Sequence, residues 1–353
     1  MSLNTVTSTR MQTTVRPLHA ELGLTDEKAI ELYRLMLLAR ALDERQWILN
    51  RQGRQAFVIS CQGHEAAQVG SAAALRPGVD AMVPYYRDLA AVVAFGASAR
   101  DTVFEALSHP EGPWSGGRQM PSHFGSPRLR ILTGGSSVAT HIPHATGAAL
   151  AALRRGEESV VIAYFGDGAT SKADFHEGIN FAAIQKLPVI FFCEDNGYAI
   201  SVPLARQSSV PCIADRAAAY GVPGVAVDGT DVLAVHQVTS KAAERARGGD
   251  GPTLIDAKCV RLTPHSSDDD HSRYRSREEL AAERARDPIP RYQAYLREHE
   301  LIDEEAERRI RVDIADQIET ALQEALAGAL DPSTATRHVF KDAPTPTLGE
   351  GPG

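Results

Sequence analysis

The sequence predicts an α/β fold: a doubly wound, mostly parallel sheet with an N-terminal helical arm and C-terminal helices. Three observations predict it. Four apolar runs, residues 160–165, 189–193, 224–227 and 253–257, have the continuous Val, Ile, Phe and Ala character of strands covered on both faces. Helical spacing fills the intervals, with Phe175, Ile179 and Ala182 after the first run and residues 232–247 before the fourth. Glycine or acidic residues stop the first two runs, at Gly166-Asp167-Gly168 and at Glu194-Asp195-Asn196, as expected where a strand feeds a turn. Right-handed strand–helix–strand crossovers then make neighbouring strands parallel.

Taken in order, residues 1–24 read as a disordered arm and residues 25–330 as the α/β domain, followed by a flexible Pro/Gly-rich tail over 331–353. Thr25 is a helix cap, with Ile30, Leu32, Tyr33, Leu37, Leu38 and Leu42 as the apolar stripe behind it. A Gly/Ser loop after residue 134 passes into an Ala-rich helix over 146–153 that Gly156 ends. From about residue 277 the pattern is charged and helical. No internal repeat is visible.

The 353-residue chain carries 37 Lys and Arg against 45 Asp and Glu, a net charge of −8. Without a basic stripe it is a poor candidate for nucleic-acid binding. Cys61, Cys193, Cys212 and Cys259 form no C-x-x-C pair, and reduced, buried thiols fit a cytosol-like compartment. The first residues lack the apolar core of a secretory signal. Arg10 and Arg16 with several Ser and Thr resemble an organellar presequence in composition, yet show little amphipathic period, so a bacterial cytoplasm is expected in preference to a mitochondrial matrix.

Parallel neighbours present their carboxyl ends on one edge, where ligands of open α/β sheets sit. Asp167 and Asn196 both occupy that edge, each read as following its own strand, and two oxygen ligands there suit a hard cation. Mg²⁺ takes few protein carboxylates and completes its shell with phosphate oxygens and water. Gly166 and Gly168 allow close backbone approach, so a metal–diphosphate cofactor is expected. The plainer reading of Gly-Asp-Gly is an ordinary turn. The joint pattern of two strand ends argues against that reading.

Residues 166–201, GDGATSKADFHEGINFAAIQKLPVIFFCEDNGYAIS, resemble the thiamine diphosphate motif of the α subunits of 2-oxo acid dehydrogenase E1 components. Similar family segments occur at Gln62-Gly63-His64-Glu65-Ala66, Tyr85-Tyr86-Arg87-Asp88, Gly117-Arg118-Gln119-Met120-Pro121, Val227-Asp228-Gly229 and Pro264-His265-Ser266-Ser267. The resemblance implies a thiamine diphosphate-binding fold over most of residues 25–330. It implies Asp167, the Asn196 side chain and the Tyr198 carbonyl as Mg²⁺ ligands, and Tyr86 and Arg87 as the grip on the diphosphate. Arg87 could instead pair with Asp88. The loop Ser136-Ser137-Val138 matches the segment under the aminopyrimidine, and His265 matches a histidine between the diphosphate and the reacting carbon. Two departures stand out. Asp195 replaces a usual Asn and is expected to add negative charge, and Ser137 and His141 occupy positions of a K⁺ site in some relatives, so no K⁺ site is assigned.

His64, His123, His141 and His144 are weaker candidates, and His141 with His144 lacks a third metal ligand. Asp268-Asp269-Asp270 reads as a solvated, mobile turn. The resemblance further implies a β subunit that completes the site, an α₂β₂ assembly, and a lipoyl-bearing E2 acyltransferase as the next partner. Phe57, Tyr86 and Met120 match apolar pocket positions, and the Gly-Arg-Gln-Met-Pro segment resembles branched-chain enzymes, with pyruvate or acetoin enzymes as the alternative. A noncatalytic cofactor-binding scaffold and a Mg²⁺ phosphohydrolase are the readings from other classes. Ser266 matches a position phosphorylated in mitochondrial branched-chain relatives.

Overall fold

A computed structural model describes residues 16–328. The tail expected over 331–353 lies outside the described residues, as do residues 1–15 of the expected arm. Residues 16–24 correct the rest of that expectation, because they contain a helical turn, α1 (Leu18–Glu21), and His19 is 1% exposed. Its ring bonds the Tyr295 hydroxyl at 2.7 Å and Asp26 at 2.9 Å, and Leu22 and Leu24 pack on the core beside it. These contacts offset the entropy of ordering the segment.

Thr25 caps α2 (Asp26–Arg51) by accepting from the Lys28 amide at 3.2 Å, as its sequence position predicts. The mixed region that follows holds α3 (Glu65–Ala73), β1 (Ala81–Val83), α4 (Leu89–Ala94) and α5 (Ala99–Ala106). Next come α6 (His141–Arg155), β2 (Val161–Gly166), α7 (Ala173–Gln185) and β3 (Val189–Asp195), then a hairpin of β4 (Tyr198–Ala199) and β5 (Val202–Pro203). β6 (Gly224–Asp228), α8 (Val232–Arg247) and β7 (Thr253–Lys258) finish the sheet, and α9 (Arg277–Arg284), α10 (Pro288–Glu298) and α11 (Glu304–Ala327) close the described chain. No helix among the described residues is long and apolar enough to cross a membrane.

The main sheet is parallel throughout, in the order β1-β2-β3-β7-β6. Its side chains sort by the two-residue period of a strand. Val161, Ala163, Phe165, Val189, Phe191 and Cys193 enter the core under α6 and α7, while Ile162, Tyr164, Ile190, Phe192 and Ile255 enter the larger core under α2, α3, α4 and α8. This double coverage explains the unbroken apolar runs. β6, at one edge of the sheet, departs from it by alternating exposed and half-buried residues, so its apolar run is not a buried one.

Helix α6 begins five residues before the expected 146–153 segment, at His141. Pro143 obscured the start, but in a first turn its missing N–H would have had no intrahelical acceptor. Gly156 does end the helix, with φ of 67°.

Helices α3 and α8 meet at backbone distance. A Cβ on Gly70 would lie 2.6 Å from the Val232 carbonyl oxygen and 3.1 Å from Val235. Gly70→Ala is therefore expected to destabilise the fold by about 1–3 kcal/mol through overpacking, despite alanine's better helix propensity. Denaturant unfolding of the variant checks this; equal or greater stability would show that the two helices separate freely.

Candidate active site

Because β2 and β3 pair in parallel with Gly166 opposite Glu194, Asp167 and Asn196 emerge side by side at the carboxyl edge. The turn after β3 needs a left-handed residue, supplied by Gly197 at φ 79°. The Asp195 carboxylate accepts from the Gly197 amide at 2.9 Å, and Asn196 Oδ1 accepts from the Tyr198 amide at 3.2 Å. From β1, Pro84 halts the ladder and releases Tyr85, Tyr86 and Arg87 toward the same edge.

A cavity of about 520 Å³ opens there, lined by Phe57, Tyr86, Arg87, Met120, Ser136, Val138, Gly166, Asp167, Gly168, Asn196, Tyr198 and His265 among others. All of the residues assigned above to cofactor, metal and substrate pocket thus fall on one surface. Ser266 is not part of that lining; it sits directly behind, 6% exposed.

Asp167 is 1% exposed, and its carboxylate accepts from Gln207 Nε2 at 3.1 Å. Burial, then the charge of Asp195, push it up to about 7. A carboxylate so placed, with an amide oxygen from Asn196 and a backbone carbonyl at Tyr198 on the same wall, is a hard-oxygen donor set that fits Mg²⁺.

The opposite character comes from Arg87. Its guanidinium is 2% exposed and donates to the Ser60 carbonyl at 2.6 Å and to His265 Nδ1 at 3.2 Å. The alternative pairing with Asp88 is absent: Asp88 accepts from the Tyr85 amide at 2.7 Å instead. Since Arg87 can only donate, His265 Nδ1 is the acceptor and the ring proton sits on Nε2. Burial and the cations Arg87 and Arg261 push His265 down to about 3, so it lines the cavity as a neutral donor at physiological pH.

Several expectations change. Asp195 does add negative charge, as its effect on Asp167 shows, but it is also paired: Lys258 Nζ lies 2.5 Å from its carboxylate and 2.7 Å from Asp256. The turn at 268–270 is held in place: Asp269 accepts from the His265 amide at 2.8 Å and from the Tyr274 hydroxyl at 2.5 Å, and Asp270 caps the short helical turn His271–Arg273. His141 bonds the Tyr164 carbonyl at 2.6 Å while His144 is exposed, and no group of three His, Cys, Asp or Glu among the described residues could hold a metal. His123 links two loops of the cavity by bonding the Met120 carbonyl at 3.0 Å and the Ser136 hydroxyl at 2.6 Å.

Three neighbours escaped the sequence reading. Gln207 and Lys258 carry no motif, whereas Arg261 could have been suspected from its place four residues before His265. Arg261 is 1% exposed and donates to the Ile200 carbonyl at 3.0 Å and the Tyr274 hydroxyl at 2.9 Å, with Nε and Nη1 lacking a partner among the described residues.

A parallel α/β domain with oxygen donors and buried cations converging at its carboxyl edge is the architecture of a diphosphate-cofactor enzyme subunit. The chain belongs to the dehydrogenase E1 component family, whose profile matches residues 33–332. It is 52% identical over 323 residues to the 2-oxoisovalerate dehydrogenase subunit alpha of Bacillus subtilis (strain 168), covering 91% of this chain and 98% of that one. The 3-methyl-2-oxobutanoate dehydrogenase subunit alpha of Mycobacterium tuberculosis is 42% identical over 308 residues, 87% of this chain and 81% of its own. The pyruvate dehydrogenase E1 component subunit alpha of Staphylococcus aureus is 38% identical over 303 residues, 86% and 79% of the two chains.

Lys258 carries the departure at Asp195. Lys258→Met is expected to cost about 1–3 kcal/mol in the native protein, below the figure for a fully buried pair because the lysine is 35% exposed, and less in an Asp195→Asn background. Chemical unfolding of the four proteins checks it, and equal losses in both backgrounds would separate Lys258 from Asp195.

Proposed function

We propose that this chain is the α subunit of a branched-chain 2-oxo acid dehydrogenase E1 component. With a β subunit it decarboxylates substrates such as 3-methyl-2-oxobutanoate and passes the acyl group to the lipoyl group of an E2 acyltransferase. The carrying observation is the meeting of Asp167, Asn196, Arg87 and His265 in one cavity of a chain 52% identical to a 2-oxoisovalerate dehydrogenase α subunit. A bacterial cytoplasm is the proposed compartment, in keeping with four free thiols.

Thiamine diphosphate, when bound, supplies the electron sink for loss of CO₂ from the 2-oxo acid. The residues supply the rest. Asp167, the Asn196 amide oxygen and the Tyr198 carbonyl would hold Mg²⁺ against the diphosphate, and Arg87 would neutralise that anion from the other wall. Neutral His265 offers Nε2–H as a donor without adding charge. Ser136 and Val138 line the part of the cavity assigned to the aminopyrimidine. Phe57, Tyr86 and Met120, with Ile59 and Ile200, give an apolar surface for a branched side chain, each added methylene contributing about 0.8 kcal/mol of transfer energy.

Steady-state kinetics with the β subunit test the reading. The kcat/KM for 3-methyl-2-oxobutanoate and 4-methyl-2-oxopentanoate should exceed that for pyruvate, and the chain without β should be inactive. A pyruvate preference moves the assignment to a pyruvate dehydrogenase α subunit; turnover by the chain alone removes the two-subunit site.

Ser266 is not a solvated turn residue. Its hydroxyl accepts from the Asp268 amide at 3.4 Å, and neighbouring Ser267 exchanges hydrogen bonds with Val58, beside Phe57 of the cavity. A carboxylate at 266 would be desolvated next to Asp268 and Asp269 and would displace the segment carrying His265. Ser266→Glu is expected to abolish turnover at saturating thiamine diphosphate while Ser266→Ala stays within about threefold of wild type, a gap larger than screened surface charge could give. Wild-type kcat and KM in Ser266→Glu would detach this segment from the site.

A further inference from the structure

Behind the cavity lies a chain of buried hydrogen bonds in which the polarity of every group is fixed by its neighbour. It starts at a backbone donor. The Ala90 amide in α4 donates to Gln68 Oε1 at 3.0 Å, so the other end of that side chain is its NH₂. Gln68 Nε2 accordingly donates to Glu194 Oε2 at 2.9 Å, and the Tyr85 hydroxyl donates to the same oxygen at 3.0 Å. Glu194, as a carboxylate with these donors, accepts again from His64 Nδ1 at 2.6 Å. His64 Nδ1 is thereby the donor of that bond, and the amide nitrogen facing Nε2, which can only donate, calls for a lone pair there. That lone pair faces the Asn196 amide nitrogen at 3.3 Å. Gln68, Glu194 and His64 are 0% exposed, which keeps bulk solvent from competing for these bonds.

We infer that His64 is a positioning residue for the cation site: by accepting from Asn196 Nδ2 it fixes the amide so that Oδ1, and not NH₂, is presented as a ligand. An amide has two faces of nearly equal shape, and only one can bind a cation. A flipped Asn196 would aim two N–H donors at Mg²⁺. The Tyr198 amide, donating to Oδ1 at 3.2 Å, favours the same orientation from the turn. His64 favours it from the core, where the alternative would bring an amide oxygen against a lone pair. His64 itself does not line the cavity. The inference rests on the reading of Asp167 and Asn196 as Mg²⁺ ligands.

The experiment measures Mg²⁺ affinity by calorimetry on the assembled α and β subunits at saturating thiamine diphosphate. Asp167→Ala is the control for the underlying reading: unchanged Mg²⁺ affinity there removes the ligand assignment itself. With that control positive, His64→Phe, which keeps ring size and removes both nitrogens, should weaken Mg²⁺ by about 10–100-fold. His64→Gln should restore affinity to within about threefold, because its amide can donate to Glu194 and accept from Asn196 with imidazole-like spacing. Glu194→Gln, isosteric and so independent of whether His64→Phe folds, should show the same loss, since a carboxamide no longer forces the proton onto Nδ1. In an Asn196→Asp background the two ligand oxygens are equivalent, orientation has no meaning, and the effect of His64→Phe should shrink to within about threefold. Unchanged affinity in both His64→Phe and Glu194→Gln overturns the inference. So does a loss of equal size in the Asn196→Asp background, which would assign His64 a packing role only.

Discussion

Everything at the functional edge depends on the parallel pairing of β2 and β3, with Gly166 opposite Glu194. That register brings Asp167, the first residue after β2, beside Asn196, the first residue after β3. A slip by one position would turn Asp167 or Asn196 to the wrong face. It would also move Phe165, Phe191 and Phe192 between the two cores. The packing of large aromatic residues on both faces and the placement of small polar groups at the edge are therefore one constraint. The sheet cannot satisfy its core without building the edge.

Charge is distributed around that edge with equal economy. Asp167, Asp195 and Asp256 lie within a short stretch of the sheet, and a single lysine answers two of them, leaving Asp167 as the carboxylate available to an incoming cation. On the facing wall Arg87 and Arg261 stand close enough to depress His265, which keeps a third positive charge out of the same place. Carboxylate and guanidinium groups thus meet around one cavity. The proposed metal–diphosphate, carrying both signs, would be complementary to that mixture.

What the sequence disclosed and withheld follows from these geometries. The strands at 160–165 and 189–193 were legible because both their faces are buried, and Asp167 and Asn196 followed from them. β1 was not, since Ala-Met-Val is too short to show any period. The run at 224–227 looked like its neighbours, but an edge strand with alternating exposure obeys a different rule. Arg87 was recognisable as a residue of the cavity, whereas its partners, Ser60 and His265, are set by tertiary folding and have no local signature. Arg261, Gln207 and Lys258 belong to the same class, and Asp195 could be noticed as a departure without any indication of what answers it. His64 sat inside a recognised segment, yet nothing local tells that its second nitrogen faces Asn196.

The seam at Gly70 acquires a different meaning in this light. Helix α3 begins just after His64 and carries Gln68, and it is pressed against α8 with no side chain between their backbones at that point. No residue of α8 lines the cavity. The seam nonetheless behaves as a mechanical mount: α8 is the bench, α3 the bracket, and the imidazole the pointer fixed to its end. Tolerance at the proposed cation site would then be set by how little α3 can roll, a property of helix packing one layer away from any chemistry.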